Sequence, residues 1–388
     1  MPILLQRHGL QRDGVRRERV AVLPALTALR GPLAWMVVLF HFSDLHPFCD
    51  AIGNVWRPLL SNGLTAVDCF FVLSGFILFH VHSGLGRRPN WAETRQFLLF
   101  RLARIYPVHL VVLLAFVVGI RGLAFLTGIR PNEPVRFSTS AFFEHLLLLH
   151  GWGITGLLSW NYPSWSISSE WAAYLLAPGF FWLALRLSRR WLWVLIPLTL
   201  LALGLLVSGD GAPSLRLSLP RVWLGFLLGT LICRFRNLHE DRLWLWRRPA
   251  LAGFWIGFIL VLFIQQRGLL IMAFCGLMLF HGLPRRHDAA QAAPGWRMLI
   301  PRVLVYLGET SYAVYMGHAL IEIVWLTLGR KLGLIAPDHL VLQAVILAVV
   351  IQGFATLLHH GVEEPARKHL RHLGEASRFP AIQVLQGS

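Results

Sequence analysis

The sequence predicts an all-α polytopic membrane protein with about ten transmembrane helices around a polar cavity. Of its 388 residues, 56% are hydrophobic and only 14% are charged, and the mean hydropathy is +0.58. A soluble domain has roughly 25% charged residues, so this composition indicates a chain that lies in lipid. The net charge of +17 is scattered in short clusters between apolar runs. That pattern is typical of membrane topology and not of nucleic-acid binding.

Apolar runs of membrane-spanning length, bounded by clusters of Arg, Pro and Gly, divide the chain in order. They are residues 27–45, 64–83, 106–128, 168–187, 191–208, 218–234, 249–265, 268–283, 303–328 and 340–360. Residues 140–153 are apolar but too short to cross a bilayer comfortably, so we expect an interfacial or re-entrant helix there. The four cysteines lie far apart and form no metal-binding pattern, so no metal site is predicted.

The distribution of Lys and Arg predicts the orientation of the chain. Segments on the N-terminal side of the membrane hold 26 of these residues, whereas the opposite loops hold 7. By the positive-inside rule, both termini are expected to be cytoplasmic. The predicted organisation is a basic cytoplasmic segment over 1–26, a membrane domain over 27–360 and a cytoplasmic tail over 361–388.

Arg30 and His41 lie eleven residues apart in the first span, close to three helical turns, so both point to one helical face. The orientation places Arg30 near the cytoplasmic end and His41 in the outer half. An ionisable group inside the bilayer is unfavourable unless it is paired or faces a cavity. The other spans carry further ionisable residues, namely Asp68, Glu170, Arg221, His318 and Glu322. Structural ion pairs between helices would explain some of these residues, and a shared polar cavity opening outward would explain all of them.

His41 is the predicted general base, because the ordinary pKa of imidazole suits proton transfer near neutrality. The alternative is a core histidine that is hydrogen-bonded to a neighbouring helix. Asp68 or Glu170 would orient the ring and stabilise its protonated form, as the third member of a catalytic triad does.

Arg101 and Arg104 end the second cytoplasmic segment, three residues apart. On a helix this spacing puts both guanidinium groups on one face, where they could bind phosphate oxygens. The alternative is ordinary positive-inside anchoring, which by itself is the favoured explanation for such a pair.

Six short motifs follow one another between about residues 23 and 370. They are Leu29-Arg30-Gly31 followed by His41, the run from Val67 to Phe76 that includes Ser74-Gly75, Arg101-x-x-Arg104-Ile-Tyr-Pro107, Trp165-Ser-Ile-Ser-Ser-Glu170, the run from Gly308 to His318, and Glu364-Pro365. In this order, and with ten spans, they resemble the integral-membrane acyltransferase-3 family, which O-acylates bacterial surface polysaccharides, antibiotics and related glycans.

The resemblance implies an acyl-CoA donor on the cytoplasmic side and a hydroxyl acceptor on the outer side of the bacterial inner membrane. His41 would be the catalytic base, and Arg30, Arg101 and Arg104 would bind the donor. Arg221 or His318 would face the acceptor or the developing oxyanion. The predicted function is therefore an O-acyltransferase, most simply an acetyltransferase, that acts on a carbohydrate hydroxyl with acyl-CoA as co-substrate and no bound cofactor.

Two alternatives come from other functional classes. A secondary transporter or exporter could use the same buried charges as a proton relay, but such proteins often carry inverted repeats, and we see no such symmetry here. A structural subunit of a glycan assembly complex would tolerate replacement of His41.

Overall fold

The computed structural model describes residues 23–45, 57–87, 90–128, 134–208, 215–264, 266–283, 295–331, 333 and 340–376. These residues are almost entirely helical and include no strand, which confirms the all-α prediction. Most of the predicted N-terminal segment and the end of the predicted tail lie outside the described residues. The domain boundaries stay predictions.

The helices, numbered in chain order, are α1 (Pro24–Leu45), α2 (Arg57–Ser61), α3 (Gly63–His82), α4 (Gly84–Arg87), α5 (Trp91–Thr127), α6 (Thr139–Leu146), α7 (Trp165–Arg186), α8 (Arg189–Val207), α9 (Ser218–Leu262), α10 (Arg267–His281), α11 (Gly295–Lys331), α12 (Leu340–Leu358) and α13 (Glu364–Ala376). A π-helical turn, His359–Glu363, joins α12 to α13. Short 3-10 turns cover Pro134–Phe137, Tyr162–Ser164 and Leu215–Leu217.

Within the described ranges, seven helical stretches are long and apolar enough to cross a membrane, which confirms a polytopic protein. One of them, Leu215–Leu262, contains two predicted spans. His239 lies between these spans and interrupts the helix, with φ −129° and ψ 17°. Its 48 residues would measure roughly 70 Å, about twice the thickness of the hydrocarbon core. The predicted fourth and eighth spans coincide with α7 and α10, which are not among the seven. Every predicted span thus lies on a helix, and the number of ten crossings stays a prediction.

Helix α5 begins well before the predicted third span. The Asn90 side chain accepts a hydrogen bond from the Ala92 backbone N–H and caps the helix, which ends at Gly128 in the left-handed conformation with φ 69°. Arg101 and Arg104 therefore lie on a helix, as their spacing predicts. The helix predicted over 140–153 is present only in its first half, as α6 (Thr139–Leu146), whose first turn is capped by the Ser138 hydroxyl, and turns follow it. Its interfacial or re-entrant position stays a prediction.

Two crossings between helices are close enough to exclude any side chain. A Cβ atom at Gly229 of α9 would lie 1.8 Å from the Val72 carbonyl oxygen of α3. A Cβ atom at Gly308 of α11 would lie 1.8 Å from the Thr27 carbonyl oxygen of α1. Small residues of this kind let the backbones of membrane helices approach each other. These contacts hold α3 against α9 and α11 against α1.

Candidate active site

A cavity of about 630 Å³ lies between α1, α3, α5, α7, α11 and the π-helical turn. Its size is typical of a small-molecule or cofactor site. One wall is apolar and comes mainly from α3, and the rest is strongly polar. The ionisable groups on the wall include Arg30, Arg101, Arg104, Glu170, His359 and Arg367.

Arg104 is held by an ion pair on the cavity wall. Its guanidinium donates to a carboxylate oxygen of Glu363, which is fully buried, and the other oxygen lies 3.0 Å from Nδ1 of His359. The Arg104 guanidinium also lies 5.9 Å from the centre of the Tyr312 ring. Glu363 is not among the residues that the sequence motifs predict, although it directly precedes the Glu364-Pro365 motif. Glu363 lies in the π-helical turn and is fully buried, whereas the neighbouring Glu364 is half-buried and lines the cavity.

Arg30 extends the same polar wall from α1. Its guanidinium interacts electrostatically with Arg104, Glu363 and Glu170. The Tyr174 hydroxyl, one turn after Glu170, interacts with that carboxylate and with Ser74. The structure therefore brings Arg30, Arg101, Arg104 and Glu170 to one cavity, which agrees with the predicted grouping of the three arginines.

Tyr315 lines the cavity and also contacts His318, which does not line it. Its hydroxyl donates to the Pro163 carbonyl oxygen at 2.7 Å and lies 2.7 Å from the Ser166 hydroxyl. Its ring centre lies 6.4 Å from that of Phe70 on the cavity side and 6.0 Å from that of His318 on the other side. Tyr315 thus contacts both a residue of the cavity wall and one of the histidines.

His41 lies beyond Tyr315, in a cluster of rings. Its imidazole stacks on that of His318 with ring centres 5.4 Å apart and meets the edge of the Tyr162 ring at 5.0 Å. Nδ1 of His318 lies 3.2 Å from the Val314 carbonyl oxygen, whereas its buried Nε2 has no hydrogen-bond partner among the described residues. A lone nitrogen in a buried site is available to a ligand.

Glu322 completes this group, which we call the His41 cluster (His41, Tyr162, His318 and Glu322). It lies one turn beyond His318 and is 1% exposed. Neither carboxylate oxygen makes a close hydrogen bond within the described part of the chain, although the Tyr162 hydroxyl lies near enough to interact with it. A buried polar group without a close partner is unfavourable for stability, and such groups concentrate at functional sites.

Asp68 and Arg221 form a separate buried ion pair between α3 and α9. The Arg221 guanidinium donates to both carboxylate oxygens, with distances of 2.8, 2.9 and 3.2 Å, and lies 5.6 Å from the centre of the Trp165 ring. Neither residue lines the cavity. Among the described residues, neither Asp68 nor Glu170 accepts a hydrogen bond from His41. Their predicted support of the imidazolium, and the placement of Arg221 at the acceptor, stay predictions.

The single cavity predicted to be shared by all these groups is therefore divided. Four of the predicted residues line the described cavity, two form an ion pair of their own, and His41 and His318 pack together behind Tyr315. The physical reason is that Asp68 and Arg221 satisfy each other, so neither requires a cavity.

Three further histidines, which no sequence motif indicates, stack between α5 and α7. The rings of His145 and His150 have centres 3.6 Å apart, and the His109 ring lies 5.6 Å from that of His150. Burial lowers the pKa of His150 to about 3, and the neighbouring His109 contributes in the same direction. Burial also holds the pKa of His145 well below its usual range. The three rings come from two separated segments, so no sequence spacing indicates them.

One group of possible metal ligands occurs in the described part of the chain. Single ligand atoms of His359, His360 and Glu364 lie within 4.8 Å of one another. Glu364 is already paired with Lys368 at 2.8 Å. The expectation that no metal is bound stays a prediction.

The fold and these adjoining polar regions define a polytopic membrane enzyme. The sequence pattern of the acyltransferase-3 family, described as an acyltransferase domain, matches residues 23–360, and the chain belongs to this family. Acyltransferase MdmB of Streptomyces mycarofaciens is 28% identical over 384 residues, which cover 91% of this chain and 93% of that protein. No solved structure matches the chain. The protein is an acyltransferase in a membrane environment.

Proposed function

We propose that the protein is an O-acyltransferase that moves an acyl group, most simply acetyl, from cytoplasmic acyl-CoA to a hydroxyl of a carbohydrate or glycan at the extracytoplasmic side. The observation that carries this proposal is the polar cavity of about 630 Å³, because Tyr315 on its wall also contacts His318 of the His41 cluster. The Lys and Arg distribution supports the sidedness, and with it an inner-membrane location with cytoplasmic termini.

The cavity suits the donor. Its basic groups attract the phosphates of coenzyme A, and the apolar face of α3 contacts the uncharged part of that molecule. Because the Glu363 carboxylate neutralises the charge of the Arg104 guanidinium, this pair chiefly makes the cavity wall rigid. Arg30 and Arg101 then supply the positive charge on that side of the cavity.

The His41 cluster suits the acceptor. In the proposed reaction His41 removes the proton of the acceptor hydroxyl as its oxygen attacks the thioester carbonyl. The carbon–sulfur bond then breaks, and the proton leaves with the coenzyme A thiolate as a thiol. In this proposal the His318 side chain faces the acceptor molecule. Because Tyr315 lines the cavity and contacts His318, we propose that its side chain moves when the thioester approaches His41.

Replacement of His41 tests the base. His41→Ala should lower transfer from radiolabelled acetyl-CoA to membrane-exposed glycans on the order of 10²- to 10⁴-fold, the usual contribution of a general base. The matched control is His369→Ala, which removes an exposed histidine of α13. Activity should be normalised to inserted protein. Full transfer by a normally inserted His41→Ala protein would contradict the proposal.

The family membership supports an enzyme and not the transporter alternative. The two also differ in a direct measurement, because only the enzyme consumes acetyl-CoA in stoichiometric proportion to acylated product. Mass analysis of surface glycans from cells with and without the protein would identify the acceptor.

A further inference from the structure

The mouth of the cavity carries groups that the proposed reaction does not use. Tyr306 of α11, His360 of the π-helical turn and Arg367 of α13 all line it. They are exposed or half-buried, whereas the residues at the inner end, such as Tyr315 and Ser166, are buried. The cavity therefore opens at this position, at the end opposite the His41 cluster.

The His360 ring is held in place from both sides of the mouth. It stacks on the Tyr306 ring with centres 6.1 Å apart and an angle of 20°, and its Nε2 lies 3.3 Å from the Tyr306 hydroxyl. Its Nδ1 lies 3.2 Å from a carboxylate oxygen of Glu364, yet 53% of the side chain is exposed. The result is an aromatic ring held in a fixed position, with about half of its side chain exposed.

The π-helical turn explains this arrangement. Its wider hydrogen-bonding ring changes which residues face inward, and such turns are often found at functional sites. His359 is buried against Glu363, while the adjacent His360 faces the mouth. Arg367 follows on the first turn of α13 and brings a guanidinium to the same opening.

We infer that this mouth binds the adenosine 3′-phosphate end of the donor, with the adenine on the His360 ring and the 3′-phosphate at the Arg367 guanidinium. The inference rests on the proposed function. A coenzyme A thioester carries its acyl group at one end and its nucleotide at the other. When the acyl group is at Tyr315, the nucleotide must lie at the mouth. Guanidinium groups bind phosphate through paired hydrogen bonds, and bases stack on aromatic rings.

The test compares coenzyme A with 3′-dephospho-coenzyme A, which lacks only the 3′-phosphate. Binding is measured by calorimetry on the full-length protein in lipid nanodiscs. The wild type should bind coenzyme A about tenfold more tightly than the dephospho form, and Arg367→Ala should remove that difference. Unchanged binding of the dephospho form will show that the variant is folded. The matched control, Arg95→Ala, removes an exposed arginine that does not line the cavity and should keep the full difference.

Equal affinities of the wild type for the two ligands would overturn the inference while leaving the proposed acyl-CoA donor intact. So would an Arg367→Ala protein that still discriminates between them. A wild type that binds neither ligand would overturn both proposals.

The stacking contact has its own variants. His360→Ala should weaken both ligands to a similar extent, and His360→Phe, which keeps a ring but no ring nitrogen, should restore most of the affinity. Loss of affinity only for coenzyme A in His360→Ala would contradict adenine stacking.

Discussion

The Asp68–Arg221 pair and the His41 cluster differ in how their buried polar atoms are satisfied. In the first, both carboxylate oxygens of Asp68 accept hydrogen bonds from one guanidinium. In the second, Nε2 of His318 and both oxygens of Glu322 lack close hydrogen bonds among the described residues. Sequence reasoning treated the two as parts of one site.

The difference indicates which polar group can react. A satisfied ion pair holds two helices together, and removal of one partner leaves an uncompensated buried charge. An unsatisfied cluster reduces stability but keeps its nitrogen and oxygen atoms available to a substrate. We therefore expect the pair to affect mainly stability and the cluster to affect mainly catalysis.

The largest expected effect is on the ion pair. Arg221→Leu should lower the free energy of unfolding by about 3–5 kcal/mol, because Asp68 loses its counter-charge. Unfolding in detergent would measure this. Transfer per folded molecule should stay near the wild-type value.

The double variant Asp68→Leu/Arg221→Leu is the control, since it removes both charges. It should regain most of the lost stability. If the double variant is stable yet inactive, the pair belongs to the catalytic site and the comparison fails.

Replacement of His318 tests the His41 cluster. His318→Ala should lower acyl transfer on the order of 10²-fold, because the ring that stacks on His41 is lost, with a smaller change in stability than Arg221→Leu gives. Steady-state transfer kinetics and thermal unfolding of the same preparation would separate the two effects. Loss of activity that only follows loss of folded protein would argue for a packing role.

His150 adds a third case to the comparison, because it is a buried histidine that is hydrogen-bonded. Nε2 of His150 lies 2.9 Å from the Ser164 hydroxyl, whose hydrogen goes to the Asn161 carbonyl oxygen at 2.7 Å, so the histidine is the donor. The unfolded chain binds a proton at His150 below about pH 6.5, whereas the folded protein does so only near pH 3. Stability should therefore fall as the pH decreases, by about 2 kcal/mol between pH 7 and pH 5 from this residue.

The measurement is thermal unfolding of the wild type and of His150→Gln at both pH values. The variant cannot bind this proton, so its stability should change less on acidification. Identical pH dependence in the two proteins would show that folding does not change the pKa of His150.

The sequence predicted the helices better than it predicted the grouping of the polar residues. Hydropathy depends on local composition, so all predicted spans lie on helices, and the three-residue spacing of Arg101 and Arg104 was sufficient to place them together. The pairing of Asp68 with Arg221 depends on the close crossing of α3 and α9, which no local pattern encodes. The inward position of Glu363 depends on one π-helical turn, and the sequence motif indicated its neighbour Glu364.

The contact at Gly308 has a consequence for how the His41–His318 spacing is maintained. Helices α1 and α11 touch through backbone atoms at Gly308 and Thr27, ten residues before His318 and fourteen before His41. Because α-helices are stiff, a small separation of α1 and α11 at this contact also changes the distance between them at His41 and His318, about 15–20 Å away. A methyl group added at Gly308 would therefore change the distance between two imidazole rings that it never touches. The geometry of the reacting groups therefore depends in part on Gly308, a residue that has no side chain.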